Sequence, residues 1–158
     1  MATKKVTGGT LANNRGKELE HRVAALLEDC GYENVHPPEI IFPMRIMDQS
    51  IYAKQVEIGR DIYGKVRRCD LLVYNSRVWP NGLVIQCKWQ ASSGSVEEKY
   101  PFEVLNIQKD EYPTIVVLDG GGYSKGSENW LKGQAGKNRL LHVFSFGELQ
   151  KFASKGKL

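Results

Sequence analysis

The sequence predicts a mixed α/β domain with one sheet flanked by helices. Three observations carry this. Leu19, Val23, Leu26 and Leu27 recur at helical spacing near the start. Two strand-like stretches, residues 66–74 and 83–89, flank the turn material Ser76-Arg77-Val78-Trp79-Pro80-Asn81-Gly82 and read as a β-hairpin. Residues 114–118 (TIVVL) form a continuous apolar, β-branched run, as suits a strand buried on both faces.

The elements follow in order. Residues 1–14 are polar and rich in Gly, Thr and Asn, which predicts a flexible arm ahead of a single domain over 15–158. Helix signals at Asn13-Asn14 and a C′ candidate at Gly31 bound the first helix at 15–30. Residues 34–50 contain Pro37, Pro38 and Pro43 without a clean period, an excursion with room for one short strand. Residues 53–58 alternate weakly; the hairpin 66–89 follows, its centre Leu71-Leu72-Val73. After the polar turn 91–95, residues 96–108 read as a helix with Pro101 awkwardly inside it. Asp119-Gly120-Gly121-Gly122 ends the 114–118 strand abruptly. A short helix over 127–135, a strand over 140–145 and a helix over 146–154 complete the chain. There is no internal repeat and no low-complexity segment.

A chain of 158 residues suits one domain with a real core. No apolar run approaches the roughly 20 residues of a membrane helix, and MATKKVTGG lacks the apolar stretch of a secretory signal. Cys30, Cys69 and Cys87 are odd in number and lack metal spacing, so they read as reduced, mostly buried thiols of a cytoplasmic protein. The net charge of +4 permits a polyanionic partner without demanding one.

The chemistry concentrates at Asp70 and at Gln86-Cys87-Lys88 on the next strand. Alternation turns Gln86 and Lys88 to one face, about 7 Å apart, and Cys87 to the other. Leu83, Ile85 and Cys87 would face a core, and Trp89 with them. A carboxylate and an amide oxygen can hold Mg²⁺, a hard ion that prefers oxygen ligands and keeps several waters. Such an ion polarises a phosphoryl oxygen and acidifies a bound water, and a neighbouring lysine stabilises charge developing on the phosphate. The ordinary alternative is a cross-strand Asp–Lys ion pair beside a solvent-facing Gln, and spacing alone favours that.

These residues, in this order along this pattern, resemble the PD-(D/E)XK nuclease superfamily. Its signature is an acid on the second core strand and (D/E)-x-K on the third, matched by Asp70 and by Gln86-Cys87-Lys88. The segment Gly16-Lys17-Glu18-Leu19-Glu20 resembles the helix that often adds a glutamate, with Glu20 favoured and Glu18 the fallback. Ser93-Gly94-Ser95-Val96-Glu97-Glu98-Lys99 resembles a stretch in some restriction-type members, and residues 113–122 their fourth strand and exit turn. The resemblance spans roughly residues 15–150. It implies a restriction-endonuclease-like α-β-β-β-α-β core and a Mg²⁺-dependent DNA endonuclease of restriction, phage or homing type, with Mn²⁺ as a substitute. Asp70, Gln86, the Cys87 backbone carbonyl and Glu20 would hold the metal, and Lys88 would act on the attacking water. Gln86 departs from the pattern, because an amide removes one negative charge from the site. A junction-resolving nuclease and an inactive DNA-binding module on the same fold are the alternatives. Cutting two antiparallel strands implies a homodimer.

DNA contact falls on the Arg/Gln/Lys-rich stretch before Asp70, namely Arg45, Gln49, Lys54, Arg60, Lys65, Arg67 and Arg68, and on Lys99. Other features carry less. Gly120–Gly122 lacks the GK[ST] or GxGxxG context of a phosphate loop. His21, His36 and His142 show no metal spacing, and Trp79, Trp89 and Trp130 read as core or edge aromatics.

Overall fold

The computed structural model describes residues 8–36, 49–91 and 97–158, with side chains from residue 14. The elements are α1 (Gly8–Asp29), β1 (Glu33–Asn34), β2 (Ser50–Arg60), β3 (Val66–Asn75), β4 (Trp79–Trp89), α2 (Lys99–Lys109), β5 (Thr114–Asp119), α3 (Lys125–Gln134), β6 (Leu140–Phe144) and α4 (Phe146–Ser154). Within them, α1-β2-β3-β4-α2-β5 is the expected α-β-β-β-α-β core.

The six strands form one mixed sheet in sequential order. β2, β3 and β4 are an antiparallel meander, while β1 joins β2 in parallel and β5 and β6 extend the sheet in parallel from β4. Parallel neighbours need crossovers; α2 lies in the one from β4 to β5 and α3 in the one from β5 to β6. β5 is buried from Thr114 to Leu118, and its apolar residues alternate between two cores. Ile115 and Val117 join Leu19, Val23 and Leu27 of α1, Leu71, Leu83 and Ile85 of the meander, and Leu149 of α4. Val116 and Leu118 join Tyr100, Val104 and Ile107 of α2 and Leu131 of α3. The expected parity holds, since Cys87 and Trp89 pack toward the α1 core with Leu83 and Ile85.

Several boundaries differ from the sequence reading. α1 begins at Gly8, so residues 8–14 are helical rather than part of an arm. They contain no proline, and adding a turn to a formed helix is easier than nucleating one. The C-terminal limit is as expected: Gly31 takes φ 88°, and Tyr32 N–H reaches back to the Leu27 carbonyl. The hairpin loop is shorter than its composition suggests, because Asn75 Oδ1 accepts the Arg77 and Val78 N–H groups and turns the chain within three residues. Pro101 lies in the first turn of α2, where its missing N–H has no helical partner to lose. Residues 92–96 and the proline-rich 37–48, with Arg45, lie outside the described residues.

Gly120 makes the exit from β5 possible. Its φ is 106°, and a Cβ there would lie 2.4 Å from the Gln90 carbonyl oxygen, a backbone atom that cannot swing aside. Gly120→Ala is therefore expected to destabilise the fold by about 1–3 kcal/mol or more, read as a lowered urea midpoint. An unchanged midpoint would show that β4 and β5 separate freely at this end.

Candidate active site

β3 and β4 pair from Asn75↔Trp79 as far as Leu71↔Ile85 and then part. Beyond that point side chains replace the ladder. The Asp70 N–H donates to Gln86 Oε1 at 3.1 Å, and the Cys87 N–H donates to Asp70 Oδ2 at 2.7 Å. Gln86 is buried, so its oxygen serves as the carbonyl that the departing strand no longer presents. Cys87 N–H points into this fork. The carbonyl of a residue in an extended strand leaves on the same side as its N–H, so the Cys87 carbonyl faces the fork too.

β2 contributes a residue that the sequence reading did not place in the site. Gln55 lies between the pairs Lys54↔Leu71 and Val56↔Cys69, opposite Asp70, and takes φ 53°. A non-glycine residue in this region is uncommon and clusters at functional sites. Its Nε2 donates to Glu20 Oε2 at 3.3 Å and to Asp70 Oδ1 at 3.4 Å. Glu20 arrives on α1, which packs through Leu19 and Val23 against the face of the sheet that carries Leu71, Ile85 and Cys87. The structure thus brings Glu20 and Asp70 to a single amide, while Glu18 stays exposed.

The electrostatics follow from this convergence. Burial pushes the Asp70 carboxyl above its ordinary value, although Lys88 and the Cys87 N–H pull the other way. Burial and the Asp70 charge push Glu20 up as well. Lys88 has the opposite fate. Burial alone would lower it, but Glu103 and Asp70 outweigh burial and hold the ammonium above its ordinary value. Its Nζ lies 3.2 Å from Glu103 Oε2. Burial would raise Glu103, yet Lys88 and Arg67 hold it below the ordinary range.

The donor set bears on a metal. Two carboxylates that share one amide donor form an oxygen site short of positive charge, which fits a hard divalent ion. Among the described residues no group of three or more His, Cys, Asp and Glu gathers for a metal. The protein share of such a site is therefore small and leaves most positions to water or substrate, as Mg²⁺ accepts. Gln86 has one lone pair left after accepting the Asp70 N–H.

The residues expected at DNA divide. Lys54, Arg60, Lys65 and Arg68 lie on or beside the β2–β3 hairpin, and Lys99 opens α2. Arg68 pairs with Glu57 at the surface, and Arg60 Nη1 donates to the Gly64 carbonyl. Gln49 lies just before β2, its carbonyl accepting the Ser76 N–H. Arg67 is a correction. It is buried, its Nη2 donates to Glu103 at 2.8 Å, and its Nε donates to both Asp110 oxygens at 3.0 and 2.8 Å. A guanidinium so enclosed is unavailable to a base or a phosphate. Glu103 and Asp110, like Gln55, were missed. The signal for them was Lys88 itself, since a strand lysine flanked by core positions needs a carboxylate partner.

A family model described as a PD-(D/E)XK nuclease superfamily domain matches residues 11–157. No curated protein and no solved structure matches.

Proposed function

The chain belongs to the PD-(D/E)XK nuclease superfamily, and from that premise we propose that it is a divalent-metal-dependent DNA endonuclease working at the β3–β4 fork. The observation that carries this reading is the convergence of Glu20 and Asp70 on the Gln55 amide, with Lys88 beside Asp70. Asp70, Glu20, the Gln86 oxygen and the Cys87 carbonyl would hold Mg²⁺, with Mn²⁺ as a substitute. A bound ion supplies Lewis acidity and an acidified water. The protein's own part is to aim two carboxylates at one point, to keep Lys88 charged beside the scissile phosphate, and to orient the attacking water through Lys88.

Lys54, Arg60, Lys65, Arg68 and Lys99 would line the DNA approach. Tyr63, 74% exposed at the hairpin tip and stacked on Phe102, stands among them. Restriction, phage DNA processing and homing are the settings this reading favours, and a homodimer would place two sites on the two strands. No described helix is long and apolar enough to cross a membrane.

A second reading has its own observation. Gln86 adds no charge, and its oxygen is already engaged by the Asp70 N–H, which favours a DNA-binding module without cleavage. Supercoiled plasmid incubated with Mg²⁺ or Mn²⁺ separates the two. Wild type is expected to nick and linearise it, and Lys88→Ala to lose about 10²–10³-fold in rate. Intact plasmid with every metal, together with salt-dependent DNA binding, would favour the second reading.

A further inference from the structure

Behind Lys88 stands a row of charges that the cleavage reading does not use. Lys88 Nζ lies 3.2 Å from one oxygen of Glu103, and the other oxygen accepts from Arg67 Nη2 at 2.8 Å. Arg67 Nε is held in turn by both oxygens of Asp110. The four groups come from β4, α2, β3 and the C-cap of α2. Three are enclosed: the side chains of Arg67, Glu103 and Asp110 are 6%, 11% and 3% exposed, whereas that of Lys88 is 32% exposed. The row thus runs from the interior and ends in the partly exposed Lys88 side chain at the fork.

Stability alone accounts poorly for such a row. Buried ion networks often contribute no more than the apolar side chains that could replace them. A lysine on its four-carbon stem also has many rotamers, so an unanchored ammonium would sample many positions. A carboxylate that is itself clamped removes that freedom, and the cation that clamps it is clamped by Asp110. The order matters: each member fixes the one nearer the site.

We propose that Glu103 is a positioning residue, holding the Lys88 ammonium beside Asp70, with Arg67 and Asp110 holding Glu103. This role rests on the nuclease reading above. Glu103 does not touch substrate; it acts through Lys88.

The test is a double-mutant cycle on single-turnover plasmid cleavage with Mn²⁺, with DNA affinity measured beside it. Glu103→Gln is expected to slow cleavage about 10–100-fold while DNA affinity and the Mn²⁺ concentration for half-maximal rate stay within twofold. In a Lys88→Ala background the same change should slow nothing further, because the two act as one unit. Independent, multiplying losses would overturn the proposal, and so would a raised Mn²⁺ requirement, which would make Glu103 a ligand. Should Glu103→Gln fail to fold, Glu103→Asp keeps the charge, withdraws it by one methylene, and is read in the same cycle. Nitrogen-15 NMR of the lysine ammonium groups, assigned with Lys88→Arg, gives a readout without cleavage. A slowly exchanging Lys88 signal that disappears in the Glu103 variant supports the anchor, and a Lys88 signal like that of a solvated lysine overturns it. If wild type cuts no DNA, the nuclease reading fails and the NMR result still decides whether Glu103 holds Lys88.

Discussion

Asp70→Asn should abolish metal-dependent cleavage and, in metal-free buffer, make the protein more stable. The two effects have one cause. The Asp70 carboxylate is half-buried at the fork, and its loss of solvent outweighs the pull of Lys88 and of the Cys87 N–H, so the fold disfavours its charged form. A carboxyl raised in the folded state contributes stability below its unfolded value, and that contribution is lost as pH rises through the folded value. At neutral pH the wild-type protein therefore carries the destabilising charge, and the neutral amide does not. An Asn oxygen can still accept the Cys87 N–H, so the fork keeps its closing hydrogen bond. The stability gain should shrink in acid, where wild-type Asp70 is itself protonated. Glu20, raised by burial and by Asp70, shifts the same window. Added Mn²⁺ should reverse the order, because an ion that binds only the folded wild type stabilises it by mass action. Its affinity should weaken as pH falls from neutral, beginning above the ordinary carboxylate range. The measurement is thermal unfolding of both proteins with and without Mn²⁺ at several pH values. An Asn variant that still cuts would remove Asp70 from the metal site, and one less stable than wild type in metal-free neutral buffer would show that the fold does not disfavour the Asp70 charge.

That one residue can be stabilising to lose and essential to keep depends on its surroundings, which were legible in the sequence only in part. The β3–β4 hairpin followed from two alternating stretches around a turn, and alternation alone separated Gln86 and Lys88 from Cys87 and Trp89. The doubly buried β5 followed from five consecutive apolar or β-branched residues. These features are local, with information carried within a few residues of where it acts. Gln55 was not legible in this sense. A left-handed residue inside a strand leaves no composition signal unless it is glycine, and Gln55 looked like one more polar residue in a basic stretch. Its role is set by Asp70, 15 positions away, and by Glu20, 35 positions away. Arg67 failed for the same reason. Its neighbours Lys65 and Arg68 suggested a solvated, DNA-facing edge, but its partners are 36 and 43 positions distant on α2 and its cap. Local composition predicts the average fate of a stretch of charge. It does not predict which member of the stretch turns inward.

Arg67→Ala tests that inward turn, with the largest expected effect on stability. The substitution leaves Asp110 buried with its cation gone, while Glu103 keeps Lys88. Stranding one partner of a buried pair costs about 3–5 kcal/mol, chiefly the penalty of an unpaired buried charge. Urea denaturation at neutral pH should show a loss of that order, whereas a surface cation such as Lys65→Ala should fall within about 0.5 kcal/mol of wild type. The loss should narrow in mildly acidic buffer. Burial and the Glu103 charge already raise Asp110 against the pull of Arg67 and Lys109; without Arg67 the carboxyl takes up a proton more readily and the stranded charge disappears. If the penalty belongs to the stranded carboxylate rather than to the worth of the pair, removing both should recover much of it. Arg67→Met with Asp110→Leu is the variant that separates these. A double variant as unstable as Arg67→Ala would mean that the ion pair itself holds β3 to α2. A single variant as stable as wild type would mean that Arg67 is free in solution, and the DNA-facing role first read from its neighbours would return.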